Sequence, residues 1–186
     1  MDIKNILKNT IILFLITFVL GIALSTVKVI TNDTIIATRQ KALQDGYKKV
    51  LSDYDTSKDI TNLVATSKIK SKATLLSCLE AYDNNQNKIG YIVLTNITGY
   101  GGKIKIVSGF DIDGKLTGIV YPEVLSETPG VGMKVTEQTF TDSFVDKNFE
   151  NITEVDTISS ATISSTAVKN SIVYAAEIVN VAKNMN

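Results

Sequence analysis

The sequence contains no histidine, which removes imidazole metal ligands, the Ser-His-Asp triad and the Cys-His dyad together. Cysteine occurs once, at Cys78, too few for a disulfide within the chain or for a thiolate cluster around zinc or iron–sulfur. Charge of either sign is not in excess: 19 Lys and Arg offset 19 Asp and Glu. Without a broad basic surface to condense on a phosphate backbone, nucleic acid is not expected as a partner. Internal repeats and low-complexity tracts are also missing, and 186 residues leave room for one ordinary domain plus an appendage. Chemistry in this chain is done without the usual residues, or by a cofactor.

What is present begins with an uncharged run from Asn9 to Val27, bracketed by Lys8 and Lys28. About 19 residues at 1.5 Å rise match the ~30 Å hydrocarbon core of a bilayer, so the run reads as a single retained transmembrane helix. Ala23-Leu24-Ser25 is a small-x-small triplet that also suits signal-peptide cleavage, but the apolar core of a signal peptide runs only about 7–15 residues. Lys4 and Lys8 precede the run while Lys28, Arg39 and Lys41 follow it, so positive charge sets its orientation only weakly. For an anchor so near the N-terminus, the commoner arrangement leaves a short tail inside and translocates the domain.

The organisation expected is therefore a tail over 1–8, an anchor over 9–28, a helical and polar connector over 29–72, and a domain over 73–186. Ile35, Ile36, Leu43, Tyr47, Val50 and Leu51 recur at helical spacing, and this helix either continues the anchor or restarts after a break near Thr31-Asn32-Asp33. Residues 52–72 are polar and weakly patterned, a connector with room for a short helix. Strand patterns then appear in pairs. Thr74–Tyr82 and Lys88–Leu94 flank a polar turn, and Lys103–Phe110 and Leu116–Tyr121 flank Asp111-Ile112-Asp113-Gly114-Lys115, where Asp-Gly is a hairpin signal. Phe140, Phe144 and Phe149 suggest a cover segment over the resulting antiparallel sheet. Ile163, Ala167, Val168, Ile172, Ala175, Ile178, Val179 and Ala182 then line up as a helix of about 20 residues that closes the chain. The fold class is α+β: a single N-terminal transmembrane helix, then one domain with an antiparallel sheet of hairpins, flanking helices and a long C-terminal helix.

Most short motifs carry little. Gly130-Val131-Gly132 lacks the third glycine of a dinucleotide fingerprint, since Val135 stands there, and no βαβ pattern surrounds it. Ser67-Lys68-Ile69-Lys70 satisfies Ser-x-x-Lys, but the partner motifs of such hydrolases are absent. Cys78 reads as a small buried apolar residue.

Three stretches say more together: Gly99-Tyr100-Gly101-Gly102, Glu127-Thr128-Pro129-Gly130-Val131-Gly132, and Asp156-Thr157-Ile158-Ser159-Ser160-Ala161-Thr162-Ile163-Ser164-Ser165. Composition alone makes the first two loops and the third a helix cap. The third is also a physical outline of a phosphate site, because a run of hydroxyls meets the free N–H groups and positive dipole end of a long helix. The glycines of the second let backbone approach something flat and large. Phosphate plus flat ring is the outline of a nucleotide or a flavin.

In this order, after an anchor and a polar helix, the three motifs resemble the G subunit of the Rnf ion-translocating ferredoxin:NAD oxidoreductase, itself related to the C subunit of the sodium-pumping NADH:quinone oxidoreductase. The resemblance spans almost the whole chain. It implies covalent FMN, attached by a separate flavin transferase through a phosphoester to the threonine that ends the family's Ser-Gly-Ala-Thr motif. That position is Thr162, with Ser159, Ser160 and Ala161 before it. It also implies cofactor contact by Glu127, Thr128, Gly130, Val131 and Gly132. Two positions depart from the family pattern: Ser160 replaces the motif glycine, and Val131 replaces the usual leucine.

On this resemblance the chain is an electron-transfer flavoprotein of a bacterial cell membrane, single-pass, with its domain on the extracytoplasmic side. Other membrane subunits of the complex, the transferase and the lipid bilayer are its partners. It is not a catalyst alone. A flavin takes up electrons by itself, so the want of histidine and of a second cysteine ceases to be a puzzle. Two other readings compete: a membrane-anchored extracytoplasmic binding or assembly protein without a redox role, and a free-standing flavin-dependent reductase.

Overall fold

The computed structural model describes residues 3–66 and 69–185, and it divides the chain into two compact units, Met1–Lys41 and Ala42–Asn186. The first unit consists of helix α1, which runs over Ile3–Val50 and ends inside the second. No break occurs near Thr31-Asn32-Asp33, so the continuous alternative holds. Along the apolar stretch Leu13, Phe14, Phe18 and Leu20 are all exposed, and the hydroxyls of Thr10, Thr17, Thr26 and Thr31 donate to carbonyls one turn back. A helix facing hydrocarbon needs this arrangement: apolar side chains outward and every polar group satisfied within the helix. It is long and apolar enough to cross a membrane.

In the second unit five strands form one antiparallel meander in the order β1 (Thr56–Asp59), β2 (Thr74–Tyr82), β3 (Lys88–Thr98), β4 (Lys103–Asp111) and β5 (Leu116–Val120). Both expected hairpins are present, β2 with β3 and β4 with β5. A third joins β3 to β4 through Gly99-Tyr100-Gly101-Gly102, where the Gly99 N–H donates to the Gly102 carbonyl at 2.8 Å. Strand β1 departs from the expected connector. It lies within the polar stretch, pairs Thr56 with Tyr82 and Asp59 with Leu79, and leads into the one-turn helix α2 (Thr61–Val64).

Alternation along the strands splits the sheet's two faces. Tyr91, Val93, Ile104, Ile106 and Phe110 point to the face covered by α4 (Thr162–Asn184), where Val168, Ile172, Ala175 and Val179 are buried with them. Ile92, Leu94 and Val107 point to the other face and pack under Tyr47, Val50, Leu51 and Tyr54 from the end of α1 and the turn after it. Burying each large apolar side chain contributes about 1.5–3 kcal/mol, so a sheet covered on both faces holds the β3–β4 turn firmly in place.

The cover segment contains a 3₁₀ turn (Gly132–Thr136) and helix α3 (Gln138–Asp142). Phe140 and Phe144 are buried edge-to-face at 5.2 Å, whereas Phe149, expected beside them, is 42% exposed. In α4 the expected core positions are buried from Ala167 onward, but Ile163 is 59% exposed, because in the first turn the helical phase turns Ser164 and Ser165 inward and Ile163 outward.

Candidate functional site

Every residue singled out from the three motifs falls in the second unit, and most of them line one cavity of about 420 Å³. That volume lies in the usual range for small-molecule sites, about 300–1,000 Å³. Its walls come from the β3–β4 turn (Tyr100), the loop and 3₁₀ turn after β5 (Thr128, Val131, Gly132), and the segment entering α4 (Ser159–Ser164). Pro129 and Gly130 stand at the exposed tip of that loop, with Gly130 at φ +72°.

Glu127 does not line the cavity. It is 5% exposed, behind the wall, and its carboxylate joins the three segments. Oε1 accepts the Gly101 N–H at 3.1 Å and Oε2 accepts the Ser164 hydroxyl at 2.6 Å. Gly132 packs so tightly against this group that a Cβ there would lie 2.5 Å from Glu127 Oε2 and 3.2 Å from Ser164 Oγ. On the other side, a Cβ at Gly101 would overlap the Ser126 carbonyl. The glycines of the two loops thus admit a buried carboxylate and a close backbone crossing.

The hydroxyl run at the start of α4 divides by helical phase. Ser164 and Ser165 are buried: Ser164 is bonded to Glu127, while Ser165 accepts the Ile158 N–H at 3.0 Å and donates to the Ala161 carbonyl at 2.9 Å. These two are structural. They fix the segment Ser159–Ala161, which is one 3₁₀ turn, against the helix. The residue at the cap position is Ala161 and offers no side-chain bond, so the helix start is not closed by a hydroxyl as the composition suggests. Ser159, Ser160 and Thr162 are exposed.

Thr162 is the first residue of α4, and its Oγ1 donates to the Ser159 carbonyl at 3.0 Å. It borders two spaces, the cavity with Tyr100 and Val131, and a second of about 540 Å³ lined by Lys72, Thr98, Thr166 and Asn170 among others. The Lys134 ammonium donates to Ser160 Oγ at 3.0 Å and brings a positive charge to the helix start. No local sequence signal marks Lys134, whose partner lies 26 residues away. Tyr100, Ile163 and Ser164 belong to the three motifs, but only the fold makes them residues of the site. Ser67 and Lys68 of the Ser-x-x-Lys motif lie outside the described residues.

Cys78 is fully buried in β2, and burial, ahead of the nearby Asp59 and Glu80 charges, pushes its thiol up to about 12. It is a packing residue. Among the described residues no group of three or more metal-ligating side chains occurs.

Comparison with known proteins bears on what this cavity takes. Residues 99–177 match the family described as FMN-binding domain, a span that opens at the β3–β4 turn and closes within α4, so all the segments around the cavity fall inside it. The chain is 29% identical to the G subunit of the Na(+)-translocating ferredoxin:NAD(+) oxidoreductase complex of Acetobacterium woodii, covering 90% of this chain and 88% of that protein. It is 27% identical to the G subunit of the proton-translocating ferredoxin:NAD(+) oxidoreductase complex of Clostridium ljungdahlii, over 95% and 92%. A shorter match, 39% identical over 46% and 49%, is to the G subunit of the ion-translocating oxidoreductase complex of Methanosarcina acetivorans. The resemblance read from the motifs is borne out, as is the α+β fold.

Proposed function

We propose that this chain, a relative of the G subunits of ion-translocating ferredoxin:NAD oxidoreductases, carries FMN as a phosphoester on Thr162 and relays electrons within such a complex. An electron-transfer flavoprotein of an ion-translocating complex follows from the family match and the relatives. The covalent bond, its position and the extracytoplasmic placement of the domain are the finer part of the proposal.

The observation that carries it is the position of Thr162. Its hydroxyl is exposed at the start of a 23-residue helix, on the rim of the cavity formed by the glycine loop. The residues present fit the group. Exposed hydroxyls at Ser159 and Ser160, the Lys134 ammonium and the first N–H groups of α4 suit a phosphate. The apolar side chain of Val131 and the neighbouring glycine backbone suit a flat ring. Bound FMN supplies one- and two-electron chemistry.

The chain's own work is to hold and orient. Attachment would join Thr162 Oγ1 to phosphorus, the hydroxyl giving up its proton to solvent, with a flavin dinucleotide held by the transferase as donor and a nucleoside monophosphate as the leaving group. Glu127 keeps the loop and α4 at fixed separation through Gly101 and Ser164. Lys134 offsets the negative charge of the phosphodiester. A tether is advantageous beyond the membrane, where a dissociated cofactor is lost. α1 supplies the membrane anchor, and its exposed apolar surface is available to lipid and to neighbouring subunits.

The test is the full chain made together with a flavin transferase. The expected result is yellow colour that survives denaturation and a mass gain of FMN minus water, both lost in Thr162→Ala. A mass gain that maps to Thr157 or Thr166 overturns the site but keeps the class. No mass gain, with Thr162 recovered unmodified from the native assembly, overturns the covalent reading.

A further inference from the structure

Around the cavity the large side chains are unusually exposed: Tyr100 69%, Ile163 59% and Val131 44%. Tyr100 departs furthest from its normal behaviour, because an aromatic ring left in water forgoes a large burial gain. Its hydroxyl has no hydrogen-bond partner among the described residues, and no other ring packs on it there.

The backbone that carries this ring is nevertheless pinned on both sides. Gly99 closes the turn onto Gly102, the Gly101 N–H is held by Glu127, and Gly101 lies against the Ser126 carbonyl with no space for a side chain. A rigid turn therefore presents a bare aromatic ring at the cavity wall, in company with Val131 and Ile163. Rigid backbone beneath an unpacked ring suits a surface awaiting a flat partner.

We infer that Tyr100 is the stacking wall of the site, placed to lie against a fused heteroaromatic ring, with Val131 and Ile163 as apolar borders. This rests on the FMN reading above and adds a residue and a role to it. The electron-rich phenol ring attracts an electron-poor oxidised flavin more than the electron-rich reduced form. Tyr100 therefore favours the oxidised form and lowers the midpoint potential.

The experiment uses the full chain carrying flavin, comparing wild type with Tyr100→Leu and Tyr100→Trp, at flavin content equalised by mass. Tyr100 is exposed, so neither change disturbs the fold, which the unfolding temperature checks. Expected in Tyr100→Leu are an unchanged mass gain, a severalfold rise in flavin fluorescence, a weaker visible circular-dichroism band and a higher midpoint potential, with Tyr100→Trp restoring the quenching. Equal fluorescence, dichroism and potential in wild type and Tyr100→Leu overturn the inference while leaving covalent FMN in place. Should wild type show no mass gain, the covalent reading fails separately, and the wall is read by titrating the unmodified chain with FMN. Binding about tenfold weaker in Tyr100→Leu then supports the wall, whereas equal binding, or none by either protein, overturns it.

Discussion

The hydroxyl of Ser164 donates to Oε2 of Glu127 across 2.6 Å, tying the first turn of α4 to a loop 37 residues earlier in the chain. Both groups are buried, and the other carboxylate oxygen reaches on to the β3–β4 turn. One side chain thus sets the spacing of all three walls of the cavity.

Removing that carboxylate leaves the buried Ser164 hydroxyl without an acceptor, at about 1–3 kcal/mol for a group so stranded, whereas the Gly101 N–H, on an exposed residue, can turn to water. Glu127→Ala is expected to lower the unfolding free energy of the full chain in detergent by about 1–3 kcal/mol on that basis. Glu127→Gln keeps one acceptor oxygen and costs less. Denaturant titration checks this, and equal stability of Glu127→Ala and wild type contradicts it.

The close packing beneath the loop predicts a second effect. In Gly132→Ala the new methyl meets Glu127 and Ser164, and overpacking of this kind costs about 1–3 kcal/mol. The strain falls on the helix start as well as the loop. Flavin loading of Gly132→Ala, followed by mass, is therefore expected to be slower than that of wild type at a temperature where both are folded.

Burial of Cys78 gives a pH-dependent prediction. Its folded-state pKa is raised from 9.0 to about 12, so the stability tied to the neutral thiol is complete below pH 9 and is lost as pH rises through that interval. Over it, stability is expected to fall by up to about 1.4 kcal/mol per pH unit from this group. Cys78→Ser, which does not titrate there, removes that slope. At pH 8 a thiol-alkylating reagent is expected to label the chain only after unfolding.

How far the sequence discloses this architecture depends on where each signal is local. Asp113-Gly114 marks its hairpin because the turn's conformation, with Gly114 at φ +81°, is decided by those residues. Ala167 to Ala182 mark α4 because its buried stripe repeats at helical spacing. β1 shows nothing, since Thr56-Ser57-Lys58-Asp59 has no apolar residue and becomes a strand only by pairing with β2. The hydroxyl run misleads for a different reason. Composition treats Ser159 to Ser165 alike, but rotation about the helix axis turns Ser164 and Ser165 inward and leaves Thr162 outward. The role of Glu127 depends on Gly101, Gly132 and Ser164 together, and only the folded chain brings them within reach.

The sheet's margins have a bearing on solubility. The interior strands β3 and β4 have 11 and 9 residues, whereas the two outermost, β1 and β5, have 4 and 5. All four side chains of β1 are solvent-facing, Lys58 and Asp59 among them. Short edges, one of them charged, make poor templates for strand addition by a second molecule. Copies of this domain that meet at high local concentration are protected against edge-to-edge aggregation by the shape of the sheet itself.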